Sequence, residues 1–248
     1  MELINPAVIG TTAILKAVAR SAPTVKRIVV TSSFAAILQE EKIFNSETVF
    51  TEKSWNSVTV EEAANNAATA YRASKTLAER AAWDFVADKS NGAKFDLVTV
   101  NPPMVFGPVV PFLASLEAIN TSNERIVNLV QGMWKTAVPS TGGALSWVDV
   151  RDVAAAHVKA GVEIPEAGGH RLFVTASSFC NRDILDIVRK DFPEYADKLP
   201  GDDVKGGEKP DNMYQTDNSE TVKILGIKWI TLEQSIVDTV KSLKEIGA

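Results

Sequence analysis

The chain has 248 residues, enough for one large domain or two small ones with a substantial core. Its composition, 45% hydrophobic and 23% charged, is that of an ordinary globular protein, and a net charge of −5 argues against a nucleic-acid partner, which would want a basic face. One cysteine, Cys180, excludes an internal disulfide and suits a reducing compartment, while two histidines, His157 and His170, lack the cysteine partners of a metal site.

In chain order, Asn5-Pro6 reads as a helix start, with Asn as N-cap and Pro at the first helical position, and Val8, Thr12, Leu15 and Ala19 recur at helical spacing up to Arg20. Val25 to Thr31 is a short β-branched run of the kind found in buried parallel strands, and it ends in Thr31-Ser32-Ser33. Residues 39–66 are polar and irregular and read as a surface loop. Thr69 to Asp88 favours helix, and Phe95 to Val100 is a second strand running into Asn101-Pro102-Pro103-Met104-Val105-Phe106-Gly107-Pro108, whose prolines predict an ordered loop. Strand, helix and strand of these lengths predict a βαβ unit with parallel strands. Further on, a helix is expected over Arg125 to Lys135, another after Trp147 to Val153, a third strand over His170 to Thr175, and a helix over Arg182 to Lys190. Gly201 to Asn218 reads as an exposed loop, Ile227 to Ile230 as a short strand, and Leu232 to Glu245 as a terminal amphipathic helix. No apolar run is long enough to span a bilayer, and Met1 to Pro6 has no basic segment followed by an apolar one. A cytoplasmic protein that touches no membrane is expected.

The chemistry centres on Tyr71-Arg72-Ala73-Ser74-Lys75. Residues four apart share a helix face, so Tyr71 and Lys75 set a phenol beside an ammonium. A neighbouring positive charge lowers a tyrosine pKa that is ordinarily about 10 and makes the phenol usable in proton transfer. Taken alone, the pair also fits a half-buried tyrosine next to a solvated lysine.

Three features coincide: hydroxyls at a strand end, Tyr-x-x-x-Lys on the following helix, and the Pro-Pro-Met-Val-Phe-Gly-Pro loop after the next strand. The chain thereby resembles the extended short-chain dehydrogenase/reductases, in particular the dihydroflavonol reductase-like branch of methylglyoxal and carbonyl reductases. Further support comes from Lys26-Arg27-Ile28-Val29-Val30-Thr31-Ser32-Ser33, Trp147-Val148-Asp149-Val150-Arg151-Asp152-Val153-Ala154, and Asp217-Asn218-Ser219. The resemblance implies an α/β fold: an incomplete Rossmann-type parallel sheet flanked by helices, with a smaller mixed substrate domain. Residues 1–107 would form the carboxyl-side part of the cofactor domain, with 143–176 returning to it and 108–248 mostly substrate domain.

Carried over residue by residue, the resemblance makes Ser33, Tyr71 and Lys75 catalytic. Ser33 would hold the substrate carbonyl, Tyr71 would donate the proton, and Lys75 would tune Tyr71 and hold the nicotinamide ribose. Thr31, Ser32, Pro102, Val105 and Ser122 would also bind the cofactor, NADPH ahead of NAD, and Leu38 and Met104 would shape the pocket for a small carbonyl substrate. Ser33 also fits a strand-end cap, Ser122 a helix cap, and Leu38 and Met104 general core. The family's glycine-rich Gly-x-x-Gly-x-x-Gly turn, which cradles the pyrophosphate at a helix N-terminus, has no counterpart in this sequence. The sequence is therefore expected to start inside the family's first domain. Two other readings stay open on these residues: a non-catalytic remnant that binds dinucleotide weakly or not at all, and an NAD-dependent epimerase or dehydratase of the same superfamily.

Overall fold

A computed structural model describes residues 3–64, 66–110, 112–113 and 115–247. Met1 and Glu2, part of the stretch read above for a signal, lie outside the described residues, as does Asn65 of the 39–66 loop. In chain order the elements are α1 (Ile4–Ser21), β1 (Arg27–Thr31), β2 (Val49–Phe50), α2 (Ala67–Ala87), β3 (Asp96–Val100), β4 (Met104–Phe106), α3 (Thr121–Val130), β5 (Ser146–Asp149) and α4 (Val150–Val158). There follow β6 (Arg171–Leu172), β7 (Ser177–Ser178), α5 (Asn181–Asp191), β8 (Gln215–Thr216), α6 (Ser219–Leu225) and α7 (Leu232–Glu245). The chain divides into two compact units. The first comprises residues 1–103, 154–174 and 214–227, and the second 104–153, 175–213 and 228–248.

The first unit is built on a parallel sheet of order β1-β3-β6, with Ile28 opposite Leu97 and Val100 opposite Leu172. The expected βαβ unit is present: β1 and β3 are parallel and α2 joins them. Side chains alternate across a strand, so Ile28 and Val30 turn to one face. There they meet Leu15, Val18 and Ala19 of α1 and Ala82 and Phe85 of α2. Val29 turns to the other face, where Gly161 lies beside it in the single π-helical turn that continues α4. Phe34, Phe50, Phe173 and Tyr214 form a second packed group, with the Phe34 and Phe173 rings stacked 5.0 Å apart.

Several local expectations change in this unit. Leu3 already has helical dihedrals, so α1 starts at Ile4 and Asn5 does not cap it. The cap of the Tyr71 helix is Asn66, whose side chain accepts the Thr69 N–H at 2.9 Å. The polar segment 39–66 is not wholly a surface loop: Phe50 and Glu52 are buried, and β2 pairs in parallel with β8. β8 also removes 215–216 from the expected exposed loop, and buried Met213 and Tyr214 precede it. The third strand shortens to Arg171–Leu172.

The second unit has a mixed three-stranded sheet, with β4 parallel and β7 antiparallel to β5. Its core holds Phe106, Trp147 and Phe179 with Ile126 and Leu129 of α3, Leu185 and Val188 of α5, and Ile236 and Val240 of α7. Met104 to Phe106 was expected as loop. The prolines stop at Pro103, so the following three N–H groups are available, and β5 lies alongside to pair with them. Gly107 has φ +133°, and a Cβ there would come 2.7 Å from Val150 Cγ1, which requires glycine. Ile227 to Ile230 forms no strand; the Ile230 N–H goes to the Asp152 carboxylate at 2.9 Å instead. Among the described residues no helix is long and apolar enough to cross a membrane.

Candidate active site

Ser32 and Ser33 follow directly on β1, at the carboxyl edge of the parallel sheet, where open α/β folds bind ligands. The Ser32 N–H continues the ladder to the Val100 carbonyl at 2.8 Å, after which the chain turns into a short 3₁₀ turn, Phe34–Ala36. Ser33 is the N-cap of that turn. Its Oγ accepts the Ala35 N–H at 3.1 Å, an arrangement that leaves the hydroxyl proton for another acceptor. The Phe34 N–H donates to the Pro102 carbonyl at 2.9 Å, joining the loops that follow β1 and β3.

α2 packs against the 34–36 turn and presents Tyr71 near its start. Tyr71 is 47% exposed, and the Lys75 ammonium lies 5.9 Å from its ring centroid. Among the described residues, neither the Tyr71 hydroxyl nor the Lys75 ammonium has a hydrogen-bond or ion-pair partner. An adjacent phenol and ammonium, both uncommitted, are positioned to take a ligand.

Below this pair lies a residue that sequence reasoning missed. Glu79, one turn beyond Lys75, is buried and accepts five donors. They are Ser32 Oγ at 2.5 Å, Asn101 Nδ2 at 2.7 Å, Thr99 Oγ1 at 3.0 Å, Arg171 Nε at 2.6 Å and Trp83 Nε1 at 3.3 Å. Arg171 also donates to the Glu52 and Ser54 carbonyls and lies 3.7 Å over the Trp55 ring. A buried carboxylate persists only with such partners. The available signal was an acid on an alanine-rich face, between Ala78 and Ala82, where a helix presents its packed side.

The other sequence-derived residues divide by unit. In the first unit, Thr31 is exposed and its hydroxyl lies 2.8 Å from His157 Nε2, while the Ser32 hydroxyl is turned inward to Glu79. Leu38 is buried among the residues of its own unit. In the second unit, the Ser122 Oγ accepts the Val105 N–H at 3.0 Å and does not cap α3, while Asn120 Nδ2 donates to the Val105 carbonyl at 3.0 Å. Met104 packs against the core of this unit. Val105, Val109, Leu113, Ile119, Asn123 and Val150 line a largely apolar cavity of about 270 Å³. A wider groove of about 520 Å³ in the first unit is lined by Glu40, Glu41, Glu62 and Arg72 among others, and contains none of Ser33, Tyr71 or Lys75. No group of acidic, histidine and cysteine side chains that could hold a metal occurs among the described residues.

A parallel strand that ends in hydroxyls, followed by a helix with an uncommitted Tyr-x-x-x-Lys pair, is the arrangement of a short-chain dehydrogenase/reductase. Within that class the chain belongs to the 3-beta hydroxysteroid dehydrogenase/isomerase family, whose model matches residues 2–183. It is 44% identical over 245 residues to the ketoreductase azaE of Aspergillus niger, covering 98% of this chain and 70% of that protein. Similarity to the NADPH-dependent methylglyoxal reductase of Saccharomyces cerevisiae is 35% identity over 244 residues, again 98% of this chain and 70% of the relative. The crystal structure of the yeast methylglyoxal/isovaleraldehyde reductase complexed with NADPH superposes with a TM-score of 0.85 at 34% identity, over 98% of this chain and 71% of that one. The Lys75 ammonium, with no hydrogen-bond or ion-pair partner among the described residues, is available to donate to a cofactor's hydroxyl groups. The sequence holds no glycine-rich turn for the pyrophosphate.

Proposed function

We propose that this protein reduces small aldehydes and ketones to alcohols with NADPH. The observation that carries the reading is the uncommitted Tyr71–Lys75 pair on a helix packed against the Ser33 turn. The names of the relatives, a ketoreductase and an NADPH-dependent methylglyoxal reductase, support it. Bound NADPH supplies the hydride that adds to the carbonyl carbon. The Ser33 Oγ–H, oriented by the bond its oxygen accepts from Ala35, donates to the substrate oxygen and holds the carbonyl in place. As negative charge builds on that oxygen, Tyr71 transfers its phenolic proton to it, giving the alcohol. The Lys75 ammonium stabilises the negative charge left on the Tyr71 oxygen and holds the ribose hydroxyls.

Pro102 and Val105 would be among the residues that hold the nicotinamide cofactor in this reading. Ser122, whose proton is not used by its bond to Val105, would donate to the cofactor. Thr31 and Ser32 border the cofactor, and Ser32 does so through its backbone because its hydroxyl is held by Glu79. Leu38 and Met104 would touch the substrate in this reading. The reaction is assigned to the cytosol, which a single buried thiol, Cys180, suits.

Tyr71→Phe removes the proton donor and little else. NADPH oxidation with methylglyoxal should fall about 10²–10⁴-fold, with an unchanged circular dichroism spectrum. Unaltered turnover would remove the assignment. A second reading is a folded protein that does not hold a dinucleotide. Titrating NADPH into the protein separates the two, since micromolar binding counts against the second.

A further inference from the structure

Glu79 joins the two halves of the proposed reacting group. It stands four residues after Lys75 and eight after Tyr71, so the three side chains run down one side of α2. Apart from Trp83 on the same helix, its donors come from the strand ends facing that side. Ser32 immediately precedes Ser33. The Asn101 amide donates both to Glu79 at 2.7 Å and to the Ser33 carbonyl at 3.2 Å. Thr99 and Arg171 belong to β3 and β6. Neutralising a buried carboxylate would need Arg171 alone. The additional bonds to Ser32 and Asn101 place the same carboxylate one link from the Ser33 backbone on two sides. A carboxylate offers about four lone-pair sites, and five protein donors crowd them, so Glu79 has no site left for substrate.

We infer that Glu79 is a positioning residue of the reductase site, setting the rotation and depth of α2 so that the Tyr71 phenol meets the carbonyl held by Ser33. The inference rests on the function proposed above for Tyr71 and Ser33. Misplacement of a reacting group by about 1 Å can cost on the order of 10²-fold in rate, so a small turn of α2 is enough.

The test uses the chain with 3-fluorotyrosine in place of tyrosine. Tyr71, Tyr195 and Tyr214 are its three tyrosines, and the ¹⁹F resonance of Tyr71 is assigned with Tyr71→Phe. In Glu79→Gln the Tyr71 resonance moves while those of buried Tyr195 and Tyr214 stay in place. The kcat with methylglyoxal falls by at least about tenfold, with KM and the Kd for NADPH near their wild-type values. Ser32→Ala removes one donor and keeps the Glu79–Arg171 pair; it moves Tyr71 less, in the same sense, and carries the test if Glu79→Gln does not fold. A Tyr71 resonance at its wild-type position in either folded variant overturns the inference. So does movement of all three resonances together, which marks general loosening. If the wild-type chain reduces no carbonyl, the proposed function fails, and the ¹⁹F comparison still decides whether Glu79 positions Tyr71.

Discussion

Each unit buries a carboxylate against an arginine, and the two pairs differ in reach. Glu79 and Arg171 are 92 residues apart, and Arg171 is only 10% exposed. Asp149 and Arg151 are two residues apart; the Arg151 guanidinium grips Asp149 with Nε at 2.8 Å and Nη2 at 2.9 Å, yet is 42% exposed. The first pair ties a helix to three strand ends. The second closes a local turn between β5 and α4 and reaches outward to Asp238 at 2.7 Å. The same chemistry therefore serves long-range assembly in one unit and local geometry in the other. What separates them is whether the guanidinium has water to fall back on.

That contrast can be broken in order of size. Arg171→Met leaves Glu79 buried without its counter-ion and should cost about 3–5 kcal/mol in urea denaturation. A loss below about 1 kcal/mol, the range of exposed pairs, would erase the distinction. Asp149→Asn should cost less, about 1–3 kcal/mol, because Asn still offers an acceptor and Arg151 can turn to solvent.

The Asp149 variant also carries a pH signature. Burial pushes the Asp149 carboxyl up, but the hydrogen bonds from the Arg151 side chain and backbone outweigh it and hold the group below the usual carboxylate range. A depressed carboxylate contributes stability that is complete above its unfolded value, about 3.9, and is lost as pH falls through the lower folded value. The gap between wild type and Asp149→Asn should therefore be constant at neutral pH and close in acid. A gap that widens in acid would contradict the assignment.

The smallest expected effect is read at Cys180, which heads α5 in the second unit. Burial pushes its thiol above the ordinary range, so labelling by a disulfide reagent at neutral pH should be slow in the native protein and rapid in urea. Asp149→Asn should quicken native labelling only modestly. Fast labelling of the wild type would show that the N-terminus of α5 is not closed.

Much of the frame was legible in advance. The β-branched runs ending at Thr31 and Val100 became adjacent parallel strands, and the alanine-rich stretch from Thr69 became the helix bearing Tyr71 and Lys75. These follow from side-chain periodicity and from each residue's immediate neighbours. Ile227 to Ile230 had the apolar character of a strand but no partner beside it, and Met104 to Phe106 had one despite the prolines before it. Strand character is completed across space, so a run of apolar residues cannot announce it alone.

The amino-acid order by itself determined the helix that sets Tyr71 beside Lys75 and the hydroxyls closing β1, because each depends on residues within a turn or two of chain. Only the tertiary structure decided that Glu79 would be buried, that Arg171 would answer its charge, and that Ser32 would turn inward to it. The donors to Glu79 from outside its own helix come from three separate segments, and a buried charge takes its meaning from whichever donors folding brings within bonding distance.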